Sequence, residues 1–278
     1  MTGETAQSTR IVAVVAATVA LGACVAGAAA LPKAAEAGPM AKSSIIGGHR
    51  ADPAGWPFVV ALYFKGQFIC GGSVISSTEV LTAAHCAKGL RIAKMRVVIG
   101  RPVLRDKSVG QKIEVIAKKV HPDFAKIQRH DVAVLTLAEA TTASPVVLAD
   151  ATEDATYTVP GTPLRVAGYG ARDQLGFRLP GFLKETSERV LSNKRCRRVY
   201  GKRFYSGKAM ICAQGRKIPR GRGVRTQICA GDSGAPLVAD TPAGVRQVGV
   251  VSYAGLFCGD SFTPSSYARV SDALDFID

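Results

Sequence analysis

Several things are scarce in this sequence. Its 278 residues include one tryptophan, four methionines and four histidines, and aromatic residues make up only 6%. With so few histidines, the choice of an acid–base group near neutral pH is narrow from the start. No two cysteines stand in the tight C-x-x-C spacing of a zinc site, and no cluster of acids marks a calcium loop, so a metal is not expected. Acidic residues number 21 against 36 basic ones, which leaves a net charge of +15. There is no internal repeat and few long helical periods. After residue 30 no apolar run is long enough to span a membrane. Intrinsic disorder is excluded as well, because 47% of the residues are apolar.

The N-terminal part stands apart from the rest. Arg10 precedes an apolar Ala- and Val-rich stretch, Ile11 to Ala30, followed by small residues. This is the layout of a secretory signal. We therefore expect a signal peptide over 1–30 and a short pro-segment over 31–44 (LPKAAEAGPMAKSS). Leu21-Gly22-Ala23-Cys24 is also similar to a bacterial lipoprotein signal, so lipid anchoring through Cys24 is the alternative to free secretion. Cys24 aside, six cysteines remain: Cys70, Cys86, Cys196, Cys212, Cys229 and Cys258. An even number in an exported domain predicts three disulfides, and the count alone allows 15 pairings.

From Ile45 on, short β-branched runs recur between Gly and Pro. They include 58–63, 95–99, 132–135, 164–167 and 247–251. Strands so closely spaced predict an all-β protein, barrel or sandwich. One helical signal closes the chain, with Ser271 as the expected cap of Ala273, Leu274, Phe276 and Ile277. It is too short to be stable unless docked. The charge is concentrated: residues 184–225 hold 14 basic residues and two acids, Glu185 and Glu188. Such a stretch is either a set of solvated loops or a docking surface for acidic polymers or surfaces.

A serine hydroxyl becomes a nucleophile only with a base in reach, a partner that orients the base, and donors aimed at the developing oxyanion. Gly231-Asp232-Ser233-Gly234-Ala235-Pro236 offers a serine between glycines, where backbone N–H groups can converge. Upstream stand Leu81-Thr82-Ala83-Ala84-His85-Cys86 and His130-Asp131-Val132-Ala133-Val134-Leu135. Together the three segments resemble the serine, histidine and aspartate motifs of the chymotrypsin/trypsin family. Ala235 stands where that family carries a second glycine after the serine. The order His, Asp, Ser is the family's, and not that of subtilisins or α/β-hydrolases. His49, His121 and His130 carry no such context and are expected in surface or structural roles.

The resemblance implies two six-stranded antiparallel β-barrels, about 45–155 and 156–278, with the active site in the cleft between them and a short C-terminal helix. It implies a secreted, monomeric serine endopeptidase that acts on polypeptides, with no cofactor and no specific nucleic acid. His85, Asp131 and Ser233 would form the triad, and the N–H groups of Gly231 and Ser233 the oxyanion hole. Ile45-Ile46-Gly47-Gly48 is similar to the family's mature N-terminus, whose amino group would pair with Asp232. Ser44 is neither Lys nor Arg, so a trypsin-like cut before Ile45 is not indicated. The disulfides would be Cys70–Cys86, Cys196–Cys212 and Cys229–Cys258. Gln227 falls at the base of the specificity pocket, with Ser252, Ala254 and Ser265 around it. An uncharged base and narrowed walls predict cleavage after small or medium uncharged residues.

Overall fold

The computed structural model describes residues 45–124, 129–171, 175, 181–221, 223–255 and 257–278. The expected signal peptide, the pro-segment and Cys24 lie outside these residues. The strands are β1 (His49–Arg50), β2 (Val59–Phe64), β3 (Gln67–Ser76), β4 (Glu79–Thr82), β5 (Met95–Ile99), β6 (Gln111–Val120) and β7 (Ala133–Leu137). They continue with β8 (Val147–Leu148), β9 (Pro163–Gly168), β10 (Lys184–Val190), β11 (Met210–Gly215), β12 (Pro236–Thr241), β13 (Gly244–Tyr253) and β14 (Ser265–Arg269).

β2-β3-β4-β7-β6-β5 close into an antiparallel barrel of six strands. A second ring runs β9-β10-β11-β14-β13-β12 and closes where β12 pairs with β9. β1 pairs with β10, and β8 runs parallel to β13, both outside that ring. Closure removes the open edges that β-sheets otherwise expose. Turn chemistry sets the register of the first hairpin. Lys65 and Gly66 are its two loop residues, both with positive φ (50° and 80°), as a two-residue turn that follows strand twist requires.

β10 alternates, with Lys184, Thr186, Glu188 and Val190 buried and the residues between them more exposed. Period-2 alternation is what a strand with one covered face should show. Its inward positions nevertheless include a lysine and a glutamate, which are costly to bury.

Helices are few and short. α1 (Ala84–Ala87) follows β4. α2 (Ala151–Tyr157) occupies the connection between the barrels, capped by Asp150, which accepts from the N–H groups of Thr152 and Glu153. α3 (Asn193–Tyr200) starts at Ser192 and ends at Gly201. The sequence reading foresaw neither α2 nor α3. At the C-terminus a 3-10 turn (Ser271–Ala273) leads into α4 (Leu274–Ile277). Ser271 does not cap this helix: it lies within the 3-10 turn. The segment is docked, with Val270, Ala273 and Ile277 buried in the larger hydrophobic core, which draws on both barrels.

Candidate active site

β4 delivers His85 on the single turn of α1, and Asp131 lies just before β7, the strand paired with β4. The imidazole Nδ1 meets Asp131 Oδ2 at 2.7 Å, and the backbone N–H of His85 donates to Oδ1 at 2.9 Å. Ser252 Oγ donates to Oδ2 at 2.6 Å. A carboxylate only accepts, so Nδ1 carries the proton of this pair and Nε2 keeps its lone pair. Asp131 is buried, whereas the His85 side chain is 37% exposed. Cys86, next to His85, is bridged to Cys70 on β3. The sulfurs of that pair are therefore not free to join His85 as metal ligands, although all three lie close together.

Ser233 sits in a turn held from every side. Gly71 N–H donates to the Ser233 carbonyl at 2.7 Å, Gly234 N–H to Val251 at 2.8 Å, and Ala235 N–H to Asp232 at 2.9 Å. None of these bonds uses the N–H of Gly231 or Ser233. Gly231 and Gly234 have φ of 94° and 83°, in the region that favours glycine. A side chain at 234 would also strike Thr82 Oγ1 and the Gly71 carbonyl, at 2.3 and 2.4 Å. The Ala235 methyl packs over Gly71, where a Cβ would come within 3.0 Å of it. One of the two positions can carry a methyl while the other stays glycine.

Asp232 points the opposite way, into the protein. Its carboxylate accepts from Gly170 N–H at 2.7 Å and Cys229 N–H at 2.8 Å. It fits because positions 168 and 170 are glycines: a Cβ at either would lie 2.2 Å from a carboxylate oxygen. Burial pushes this carboxyl up to about 7, against the pull of those two N–H groups and of Lys184. Lys184 is buried too, donates from Nζ to the Gly48 carbonyl at 2.9 Å, and is brought down by burial to about 8. Ile45 is fully buried, and Ile46 exchanges backbone hydrogen bonds with Gln227 at 2.9 and 3.2 Å.

His85, Asp131 and Ser233 share the wall of a cavity of about 800 Å³. Ser252 and Ala254 line it as well, along with Ile228 and Thr263. Gln227 and Ser265 lie behind that lining. The Gln227 amide is spent on the Thr263 carbonyl (Nε2, 2.6 Å) and the Gly259 N–H. The Ser265 hydroxyl donates to Glu188 at 2.8 Å. The three disulfides join Cys70–Cys86, Cys196–Cys212 and Cys229–Cys258. The other histidines lie off the cleft: His49 bonds to Glu185, and His121 stacks on His130 at 4.5 Å.

The family described as Trypsin matches residues 45–277. A trypsin of Saccharopolyspora erythraea is 36% identical over 235 residues, 84% of this chain and 96% of the relative. Serine protease 57 of Rattus norvegicus is 34% identical over 239 residues, covering 84% and 82% respectively. Kallikrein-8 of Homo sapiens is 31% identical over 245 residues, covering 85% and 86%. The chain belongs to the trypsin family. It is a serine endopeptidase, a hydrolase of polypeptides.

Two residues of this trypsin-family site escaped the sequence reading. Glu188 is fully buried, accepts from Ser265 and from Tyr267 Oη (2.9 Å), and is pushed up by burial to about 8. Lys184 acts on Asp232 through its charge alone, its Nζ being spent on the Gly48 carbonyl. The signal for both was present: charged residues two and four steps along a strand, in phase with Thr186 and Val190. Reading residues 184–225 as one basic surface hid the fact that one of its cations and one of its acids point inward.

Proposed function

We propose that Ser233 is the nucleophile, His85 its base and Asp131 the group that orients His85. His85 Nε2 takes the hydroxyl proton as Ser233 Oγ attacks the scissile carbonyl. The N–H groups of Gly231 and Ser233 receive the oxyanion, and the proton passes to the leaving amine. Water then repeats the sequence on the acyl-enzyme. The observation that carries this reading is the saturated Asp131 carboxylate: three donors hold it, one of them His85 Nδ1, in the cleft that Ser233 lines.

Substrates are cut after small or medium uncharged residues. Ile228, Val251 and Ala254 give the cavity apolar walls, and Gln227 puts no charge at its base. The enzyme is exported by residues 1–30, and cleavage before Ile45 frees an amino group that pairs with Asp232. The test is the chain beginning at Ile45, beside its Ser233→Ala twin, incubated with a diverse peptide mixture. Mass spectrometry should find cuts by the parent alone, after residues such as Ala, Val or Thr. Cuts confined to Lys and Arg would sink the specificity reading, and equal cutting by both proteins would sink the role of Ser233.

A second property rests on the basic stretch. Lys194, Arg197, Arg198, Lys202 and Arg203 on α3 and the loop after it are exposed, and none of them forms an ion pair among the described residues. This face borders the cleft, since Tyr200 stands against Tyr253 with ring centroids 6.1 Å apart, and both line the cavity. We propose that it binds acidic polymers or surfaces. Retention on a sulfated polysaccharide column that disappears on raising salt from about 0.05 to 0.5 M, and on reversing Arg197, Arg198 and Arg203 to Glu, is the expected result.

A further inference from the structure

We propose that a second cavity, on the side of the first barrel, binds a compact molecule that carries several closely spaced phosphate groups. The cavity has a volume of about 1060 Å³ and shares no lining residue with the catalytic cleft. The proposal does not depend on the role given to Ser233, and it concerns a different surface from the basic face on α3.

Strand register builds one wall. Tyr63 on β2 pairs with Arg96 on β5, and Val98 on β5 pairs with Lys112 on β6. Residues two apart on a strand share a face, so these four stand on the face opposite the buried Met95 and Val97, and all four line the cavity. The Lys65 N–H donates to the Lys94 carbonyl at 3.0 Å, which draws the β2–β3 turn against the segment before β5. Between β5 and β6 the chain turns back on itself, and Arg101 Nε donates to the Val109 carbonyl at 2.8 Å. Wall, turn and loop bring six cations around one space: Lys65, Lys94, Arg96, Arg101, Lys107 and Lys112.

Charge selects the ligand. Of the six cations only Arg96 forms an ion pair among the described residues, with Glu114. Asp106 feels the charge of Arg101, but it is exposed and accepts from the Ser108 N–H at 3.0 Å. Neither acid lines the cavity. Arg101 is the decisive group: it is only 8% exposed, one of its nitrogens is spent on Val109, and yet it borders the cavity. A buried guanidinium without a carboxylate is costly, and its planar fork matches two oxygens of one phosphate. A phosphate ester brings about 1.5 to 2 negative charges near neutral pH, so a few of them close together balance the whole set. Tyr63 and Val98 add an apolar strip on which a small ring or chain can lie.

The experiment titrates the full chain with inositol hexakisphosphate at about 0.15 M salt, followed by calorimetry and by melting temperature. One molecule should bind per chain and raise the melting temperature. Lys107→Glu combined with Lys112→Glu changes two exposed side chains and should weaken binding about 30-fold or more. Arg101→Gln should weaken it about tenfold, the scale of a lost hydrogen bond to a charged group. Arg101 also braces its loop, so the melting temperature of the unliganded variant reports its folding, and the exposed pair tests the site independently. Reversing Arg197, Arg198 and Arg203 to Glu should change binding less than about threefold, because screening by salt isolates the two surfaces. Tripolyphosphate, titrated in parallel, separates an inorganic chain from a phosphorylated ring as the better ligand. Absence of saturable binding by either probe would overturn the proposal. So would binding unchanged by the Lys107 and Lys112 reversals, or an equal loss on reversing the α3 arginines.

Discussion

Val60, Leu81, Val97 and Leu135 fill the first barrel with aliphatic side chains, and its catalytically interesting groups sit at the rim. The second barrel buries Leu164, Val166, Ile211 and Leu237 in the same way, but shares its covered space with Lys184, Glu188, Gln227, Asp232 and Gln247. The difference follows from what each carries. A short turn and one disulfide present His85, so the strands beneath it can be packed for stability alone. The Ser233 loop lies on the second barrel, and buried polar side chains hold it and the segments near it: Asp232 under Ser233, Gln227 across Thr263 and Gly259, Glu188 behind Ser265. Buried polar networks specify a geometry when every member is satisfied, and make the region sensitive to titration.

The sharpest way to test the contrast is to damage the rim of the first barrel without touching its core. Asp131→Asn should lower kcat about 10⁴-fold, because the amide no longer favours the Nδ1–H tautomer, with little loss of thermal stability; steady-state kinetics and calorimetry on the same sample check both halves. Leu135→Ala should do the reverse. Its side chain is fully buried, so a loss of about 2–5 kcal/mol is expected in urea unfolding, while kcat of the folded fraction stays near the parent value.

In the second barrel the expected signature is pH. Glu188 keeps its proton up to about pH 8 in the fold, but releases it near its ordinary value of 4.5 when unfolded. Between those values the folded state binds more protons, so stability falls as pH rises through the window. Glu188→Gln removes this dependence. It should stabilise the protein by about 1–3 kcal/mol at pH 8 and by almost nothing at pH 4, read as melting temperature against pH. An unchanged pH profile would count against a proton held at Glu188. The smallest effect belongs to the connection between the barrels, where Asp150→Ala removes the cap of α2 and should cost about 1 kcal/mol, with no change in activity.

The parts of the molecule legible in the sequence were those whose signal is local. The run at 95–99 is a strand with the bounds read for it, and the cysteine pairs implied by the motifs are the pairs observed. α2 and α3 were overlooked because helices were sought by apolar periodicity, whereas these two are mostly exposed and announce themselves by caps, Asp150 with Glu153 and Ser192. Depth was the other obstacle. Ser265 and Gln227 lie near the pocket in sequence terms, yet alternation along a strand says which residues share a face, not which face borders a cavity. Glu188 could be tied to Ser265 only through the lateral order β10-β11-β14, in which Glu188 pairs with Gly215 and Ser265 with Ala213.

The bond from Gly71 to the Ser233 carbonyl, with the Ala235 methyl seated on Gly71, joins β3 of one barrel to the Ser233 turn of the other. It works as a registration pin. Cys70, the next residue along β3, is tied to the turn that bears His85. A sliding of one barrel over the other would therefore shear this pin before it could part His85 from Ser233. Docking the two halves and assembling the reactive groups are then a single event, and a chain opened in the stretch between α2 and β9 should be silent as separate pieces and regain its chemistry only as they mate.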